Sequence, residues 1–428
     1  MPNNKKIHIF GGGTFSHVRN HLALAAPAFG TAAIAIEEHF EQWLENNGLE
    51  GKMDIELHLT RMAGGGVLTE GRIVTNEDLM REVDKVVEDL DTKIVVMSCA
   101  VADFEGHLNT TGWDDAVGKH APRLDSSLEY TLRLRRAPKI IDRIRRDKRK
   151  DIFLVAFKTT TNASGDEQFK AALSMMKRSS CNLVVANDVV TRRCFIVTPE
   201  EVRYADKVYD DGRAELWREL VDMTMLRSQL TFTRSTVVDG EPIAWDSHLV
   251  PDSLRKIVDY CIERGAYKPG PTGATVGHFA VKLDDTTFLT SRRKTNFNRM
   301  SEVGLVKITT DGPDSVIAYG SKPSVGGQSQ RIVFEEHEDT DCIVHFHCPL
   351  REDALDRDVI PVVSQREYEC GSHECGQNTS RGLERVWGSI RCVMLDKHGP
   401  NIVFHRDIDA GEVIRFIERN FDLEAKTT

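Results

Sequence analysis

The sequence predicts an α/β protein in two parts: a parallel sheet with helices on both faces, followed by an α+β layered domain of mixed strands. Two observations carry this prediction. At 428 residues the chain exceeds the roughly 250–300 residues beyond which a single core stops growing. Its first half alternates short β-branched runs with helical stretches, the pattern of parallel strands joined by crossover helices, whereas the second half mixes short strands without that alternation.

In the first half the strand candidates are residues 6–10, 55–59, 94–98, 152–157, 183–186 and 194–198, separated by helical segments at 32–47, 76–89, 138–146, 166–179 and 214–229. Crossovers of this kind are right-handed, and ligands collect beyond the carboxyl ends of the strands. Gly240, Pro242 and Pro251 punctuate the segment that follows, which places the domain junction there. The expected division is a domain over 1–232, a linker over 233–250 and a second domain over 251–428. The second domain opens with a helix at 251–265, continues through strands at 276–283, 288–290, 305–309 and 316–319, and crosses a turn-rich stretch. Strands at 342–347, 359–363, 390–395 and 402–405 follow, with a helix at 409–420.

Composition narrows the class. Hydrophobic residues at 40% and charged residues at 29% are ordinary globular values, and no apolar window of about 18 residues exists to span a bilayer. The polar start MPNNKK runs straight into a strand-like segment without the pattern of a signal peptide. Nine cysteines, an odd number, suit reduced thiols in a cytoplasm. A net charge of −10 argues against nucleic acid as a partner. The basic run 143–150 reads as a solvated helix end. The expectation is a soluble, cytoplasmic protein acting on small molecules, with no membrane partner.

The segment IHIFGGGT ends a strand in Gly11, Gly12 and Gly13, either a plain tight turn or a loop bringing backbone close to a ligand. It lacks the GxGxxG spacing of a dinucleotide fingerprint. Together with VVMSCAVADFEG, the basic strand LEYTLRLRRAPKIID, IFLVAFKTTTN and CNLVVANDV, in that order, it resembles the phosphopantothenoylcysteine synthetase family over residues 6–230. The resemblance implies a Rossmann-like domain in which CTP or ATP, with Mg2+ on its phosphates, activates a carboxylate as an acyl nucleotide. The amine of cysteine then displaces the nucleotide to form an amide. It places the nucleotide against Met97, Ser98 and Cys99, with Asp103 near ribose or base and Phe157, Asn187 and Asp188 lining the same pocket. Read alone, Phe157 is equally a core residue, and Asn-Asp after a strand is a common turn. Lys119 stands where the family keeps a phosphate-neutralising lysine, on a longer connection; Lys177 and Arg178 match less well. The family's asparagine and glycine-lysine loop is replaced by FSHVRNHLALAAPAFGTAA, where Arg19, Asn20 and His21 are the substitutes, Asn20 being the expected catalytic one.

In the second half CIVHFHCP places His345 and His347 on one face of a strand, where two imidazoles can bind one zinc ion. MLDKHGPNIVF supplies His398 as a third ligand at the end of another strand. This arrangement, with GATVGHFAVK and FLTSRRKTN before it, resembles the class II aldolase/adducin family over residues 251–425. The resemblance implies that Zn2+ polarises a substrate carbonyl so that an enediolate can form. Arg292 and Arg293, with Lys294, then hold a substrate phosphate or belong to a solvated loop. The family's proton-transferring glutamate falls on Gly326; Glu335, Glu336 and Glu374 are the nearest stand-ins. ECGSHECGQN, with Cys370, His373 and Cys375, is either a second metal cluster or, since a further cysteine pair is lacking, a loop at the active-site rim.

The expected function is a nucleotide-dependent acid–amine ligase fused to a zinc domain with altered, lyase-like chemistry, in a coenzyme A biosynthetic setting. Two alternatives stand beside it. In one, a zinc-dependent lyase acts on a phosphorylated carbonyl compound and the first domain is a nucleotide-binding accessory. In the other, the chain is a non-catalytic, nucleotide-responsive scaffold. Both resembled families imply a homo-oligomer, dimer or tetramer.

Overall fold

The computed structural model describes residues 4–63, 73–108, 118–210, 212–270 and 273–426, with the backbone alone at 326–329. The chain divides into two compact units, Met1–Pro199 with Arg203–Ser228, and Glu200–Val202 with Gln229–Thr428.

The first unit is built on a seven-stranded sheet in the order Arg203–Val208, Arg193–Val197, Leu183–Asp188, Phe153–Thr160, Thr92–Met97, Lys5–Gly11, Met53–Leu59. The last five run parallel, and the first two form an antiparallel edge. The chain moves outward from Lys5–Gly11 to Met53–Leu59, then crosses back to Thr92–Met97 and proceeds the other way. The carboxyl ends of Lys5–Gly11 and Thr92–Met97 therefore flank the topological switch point, where sheets of this kind bind ligands. On one face Phe10, Val95, Leu154 and Val184 pack with Leu79 and Val83 of the helix Asn76–Glu88 and with Leu173 and Met176 of the helix Gly165–Ser179. The alternate residues Ile7, Ile9, Val96 and Val185 are equally buried. The helix Thr31–Asn46 packs on the strands Lys5–Gly11 and Met53–Leu59 and on the helix Ala214–Arg227. Trp43 of the first helix donates to Asp222 of the second at 3.1 Å.

Local chemistry starts these helices where the sequence shows it. Thr75 with Asp78, and Ser164 with Glu167, form reciprocal capping boxes that satisfy otherwise orphaned N–H groups. The helix expected at 138–146 is only a 3-10 turn, Ile140–Arg143. A longer helix would leave the basic run that follows it solvated. Instead Arg143 and Lys148 bond Asp84 at 2.6 and 3.1 Å, and Arg149 bonds Asp151 at 2.6 Å.

The second unit carries a mixed sheet whose centre runs Leu305–Thr310, Thr287–Ser291, His278–Lys282, Cys342–His345, Gly399–Phe404, Ile390–Leu395, all antiparallel. One face buries Phe279, Val344, Ile402 and Phe404 against the helices Asp252–Glu263 and Ala410–Asn420. The other sets Ala280, Ile343, Val393 and Val403 against Val333, Phe334 and Leu383. The segment expected as a linker is part of this sheet: Arg234–Val238 pairs in parallel with Ser315–Tyr319, its Thr-Val-Val run favouring extended backbone over a tether. The turn-rich stretch contains a helix, Val325–Glu336, and a second, His373–Gly382, capped by Ser372, lies between the strands expected at 359–363 and 390–395. Their glycines and polar residues hide the apolar periodicity. The strand expected over 359–363 shrinks to Val362–Val363.

Candidate functional site

At the switch point of the first unit, the two flanking strands continue to associate past their ends. Gly13 bridges Ala100, Ser98 N–H donates to Phe10 O at 3.0 Å, and Ala100 N–H to Gly12 O at 3.0 Å. Ser98 Oγ also donates to Phe10 O, at 2.6 Å. The three glycines serve the protein's own packing. A Cβ on Gly11 would lie 2.3 Å from Ala33 Cβ, one on Gly12 2.2 Å from Thr60 Oγ1, and one on Gly13 2.1 Å from Ala26 O. Gly12 also has φ +96°, which favours glycine. Thr14 then ties this turn to the next element. Its hydroxyl donates to Asn76 Oδ1 at 2.6 Å and accepts from Ala102 N–H at 3.0 Å, and Asn76 Nδ2 donates to Ala102 O at 2.8 Å. The start of the helix Asn76–Glu88 is thereby fixed against the AVADF loop, a junction that neither Thr14 nor Asn76 signals in the sequence by more than its capping chemistry.

Around this junction Met97 is buried, while Cys99 is half-buried and desolvation pushes its thiol up to about 12, leaving it protonated and unreactive at neutral pH. Asp103 keeps its carboxylate on the surface in an ion pair with Lys139, a cation the sequence reading passed over. Phe157 is half-buried and lies 6.1 Å from Trp217, ring to ring. Asn187 accepts from Thr159 Oγ1 at 3.1 Å. Asp188 is fully buried and organises the loop over the sheet end. It accepts from Thr160 Oγ1 and from the N–H groups of Asn162, Ala163, Val190 and Thr191, all at 2.8–3.0 Å. Burial alone would raise its pKa; the backbone donors outweigh that and hold the carboxyl well below the usual range. Its oxygens are thus committed to the protein, which corrects the expectation that Asp188 faces a pocket. Asn20 stands at the surface. With His21 it forms the exposed turn between the strands Phe15–Arg19 and Leu22–Ala25, a hairpin that an alternating but short apolar run concealed. Lys119 is exposed in a loop, so it and Asn20 stand on separate surface turns.

The second unit gathers its three predicted ligands. His345 ends the strand Cys342–His345, His347 follows it on the same face, and His398 lies in the turn before the neighbouring strand Gly399–Phe404. One ligand atom from each ring falls within 4.8 Å of the others, and all three residues are buried. Ring centroids are 5.1 Å apart for His345–His347, 4.8 Å for His345–His398 and 4.4 Å for His347–His398. Gly399 makes the approach possible: its φ is +137°, and a Cβ there would lie 2.1 Å from Phe346 O. Only glycine lets the His398 turn sit this close to the HxH segment.

The electrostatics suit a cation. His345 Nδ1 lies 2.7 Å from Pro400 O, so that nitrogen carries the proton and Nε2 holds the lone pair. Nε2 is buried with no hydrogen-bond partner. An orphaned buried acceptor is costly unless something binds it. Burial holds the His345 pKa down at about 4, against the Pro400 hydrogen bond, and burial with the neighbouring His398 and His345 lowers His347 well below its ordinary value. Neutral imidazoles are the ligating form. The donor set therefore fits Zn2+ or a similar ion.

Beside the cluster is a cavity of about 10 Å3 lined by His278, Gln330, His345, Cys370, Cys375 and His398. That is room for one water-sized sphere. Among the described residues no carboxylate lines it. Gly326 lies in the first turn of the helix Val325–Glu336, one turn ahead of Gln330, whose amide is held by Thr290 Oγ1 at 3.2 Å and by His278 Nδ1. The stand-in acids lie elsewhere: Glu335 and Glu336 are exposed, and Glu374 accepts from Thr231 N–H at 3.0 Å. Arg292 is also engaged, donating to Ser321 Oγ at 3.1 Å and Val303 O at 2.8 Å, whereas Arg293 is exposed. Cys370, read from sequence as rim, reaches His398, its Sγ 3.5 Å from Nε2 and 3.7 Å from Nδ1.

Fold and site define a two-unit α/β chain that joins a doubly wound sheet to a mixed sheet bearing a buried three-histidine cluster. Comparison with known proteins gives each unit its family: the N-terminal half carries a DNA/pantothenate metabolism flavoprotein C-terminal domain, matched over residues 61–218, and the C-terminal half a class II aldolase and adducin N-terminal domain, matched over 256–418. Two relatives, both named coenzyme A biosynthesis bifunctional protein CoaBC, match part of the chain. The one from Thermococcus kodakarensis is 30% identical over 115 residues, 27% of this chain and 26% of the relative. The one from Methanocaldococcus jannaschii is 23% identical over 190 residues, 43% and 40% respectively. The chain thus spans well under half the length of either. Among solved structures, a DNA/pantothenate metabolism flavoprotein from Streptococcus pneumoniae is similar at 18% identity and TM-score 0.40, over 52% of this chain and 97% of that one. An L-fuculose-1-phosphate aldolase from Thermus thermophilus is similar at 16% identity and TM-score 0.29, over 40% and 89%. No helix among the described residues is long and apolar enough to cross a membrane.

Proposed function

We propose that this chain is a two-site enzyme: a nucleoside triphosphate-dependent acid–amine ligase of the phosphopantothenate–cysteine type in its first unit, and a metal centre with altered chemistry in its second. The observation that carries the first half is the family match over 61–218 lying on a sheet whose switch point joins the Gly11–Gly13 turn to the AVADF loop. The relatives' coenzyme A setting supports phosphopantothenate as acid and cysteine as amine. In this reading the substrate carboxylate attacks the α-phosphorus of Mg2+-bound CTP or ATP and pyrophosphate leaves. The amine then attacks the acyl carbon, the nucleoside monophosphate leaves, and the nitrogen loses a proton. In the same reading Asp103, surface-facing and paired with Lys139, accepts from ribose hydroxyls, and Lys139 offsets phosphate charge; their exposure at the surface supports this.

In the second unit His345, His347 and His398 hold Zn2+, which when bound supplies a Lewis acid for a carbonyl oxygen. His345 presents Nε2 because Pro400 fixes its tautomer. Gln330 and His278 line the cavity, and an amide there orients a bound group without accepting a proton. That favours binding or an altered reaction over a lyase working through a carboxylate base. A homo-oligomer in a cytoplasm is the expected working form.

A thermal-shift matrix tests both halves on the full chain. Mg2+-CTP or Mg2+-ATP should raise the melting temperature of wild type and His345→Ala but not of Asp103→Ala, and Zn2+ should raise that of wild type and Asp103→Ala but not of His345→Ala. A variant that loses both responses contradicts independent sites.

A further inference from the structure

We propose that Thr14 and Asn76 are positioning residues for nucleotide recognition: together they fix the peptide that leads into Asp103, so that its carboxylate is already aimed when the ribose arrives. The inference rests on the reading of Asp103 given above and adds to it the two side chains through which that carboxylate is held.

Past the strand ends the parallel ladder advances two residues at a time. Ser98 N–H donates to Phe10 O at 3.0 Å and Ala100 N–H to Gly12 O at 3.0 Å. The next rung would run from Ala102 N–H to Thr14 O. That carbonyl instead accepts from Ala26 N–H at 3.1 Å, and Thr14 supplies the rung from its side chain, Oγ1 accepting from Ala102 N–H at 3.0 Å. Asn76 closes the arrangement. Its Oδ1 accepts the Thr14 hydroxyl proton at 2.6 Å, nearer than Ala100 O at 3.5 Å, and its Nδ2 donates to Ala102 O at 2.8 Å.

Ala102 O belongs to the peptide unit entering Asp103. The unit leaving it is held as well, since Ala137 N–H donates to Asp103 O at 2.9 Å. Asp103 is thus clamped on both sides in the backbone while its carboxylate stays at the surface beside Lys139. The clamp itself is buried, with Thr14 at 0% and Ala102 at 5% exposure. An Ala102 N–H deprived of Oγ1 therefore finds no water to replace it, and the loop shifts to satisfy it. A carboxylate on a loop that must be ordered by its ligand loses affinity to that ordering, whereas one held in place beforehand does not.

The ribose isolates the effect. Dissociation constants of Mg2+-ATP and Mg2+-2′,3′-dideoxy-ATP, and of the corresponding CTP pair, are measured by calorimetry on the full chain for wild type, Thr14→Val, Thr14→Ser and Asn76→Ala. Valine keeps the shape and removes the acceptor; serine keeps the acceptor. Wild type and Thr14→Ser should bind the ribonucleotide at least about tenfold more tightly than the dideoxy form, the scale of a hydrogen bond to a charged group. In Thr14→Val and Asn76→Ala that preference should all but vanish through weaker ribonucleotide binding, the dideoxynucleotide binding as in wild type and so showing the unit folded. Should Thr14→Val bind neither form, Asn76→Ala decides in the same way. An undiminished preference in either variant overturns the positioning role. So does loss of both nucleotides by both variants, the mark of residues that hold the whole unit up and do not aim one carboxylate. Wild type binding both forms alike overturns the Asp103 reading and the proposal with it, and wild type binding neither overturns the nucleotide site itself.

Discussion

Acid should unfold the first unit through one buried histidine. His8 is 2% exposed in the middle of the strand Lys5–Gly11. Thr92 Oγ1 donates to Val86 O at 2.6 Å, so it accepts from His8 Nε2 at 3.2 Å; His8 Nδ1 is then the acceptor for His58 Nε2 at 3.0 Å. Protonating His8 sets a second N–H against that of His58 inside the fold. Burial first, then His58, with Lys6 adding to them and Glu56 and Asp89 opposing, push its pKa from 6.5 down to about 4. The folded state binds this proton more weakly than the unfolded chain, so the stabilisation is complete above about 6.5 and is lost as pH falls toward 4. At about 1.4 kcal/mol per tenfold change in affinity, the full effect is roughly 3 kcal/mol, of which about 2 kcal/mol disappears between pH 7 and pH 5. The comparison is between wild type and His8→Gln, whose amide can donate to Thr92 and accept from His58 without titrating. Urea unfolding midpoints across this range should converge toward low pH, with wild type losing about 2 kcal/mol more than the variant. Parallel pH profiles for the two proteins would refute the reasoning.

Three other perturbations follow from the same structure. Gly13→Ala drives a methyl group into Ala26 O and Met62 Sδ, 2.1 and 2.7 Å from the new carbon, and should cost about 1–3 kcal/mol in urea unfolding. Asp188→Asn turns one of the two oxygens that gather four backbone N–H groups and Thr160 into an NH2 donor; hydrogen exchange within the set Asn162, Ala163, Val190 and Thr191 should quicken while the helix Asn76–Glu88 is unaffected. His347→Ala should abolish stabilisation by Zn2+, which in wild type reaches about 2.7 kcal/mol at a hundredfold excess over Kd; an equal shift in the variant would show the ion bound elsewhere.

The parts of this molecule legible in the sequence are those where one residue pattern has one physical meaning. β-Branched runs such as Ile94–Met97 can hardly be anything but buried strands, and HxH on a strand puts two imidazoles on one face whatever surrounds them. Less legible were roles that depend on distant partners. Asp188 reads like a pocket carboxylate, yet its acceptors are filled by Val190 and Thr191 just after it and by a loop some 25 residues back in the chain. Gly11, Gly12 and Gly13 look like a ligand loop, while the atoms that forbid side chains there belong to Ala33, Thr60 and Ala26. The helix His373–Gly382 was hidden because its buried residues are Asn378, Thr379 and Ser380, with Cys375 the sole strongly apolar one. Asn20 was read by filling a family position by residue type, and the sequence did not show that it occupies the exposed two-residue turn of a hairpin.

The most direct test of the account is turnover by the full-length chain. Supplied with Mg2+, CTP or ATP, 4′-phosphopantothenate and cysteine, it should release pyrophosphate and form amide in equal amounts, with neither appearing when acid or amine is left out. Binding of the nucleotide with no pyrophosphate under any of these conditions would contradict the ligase assignment.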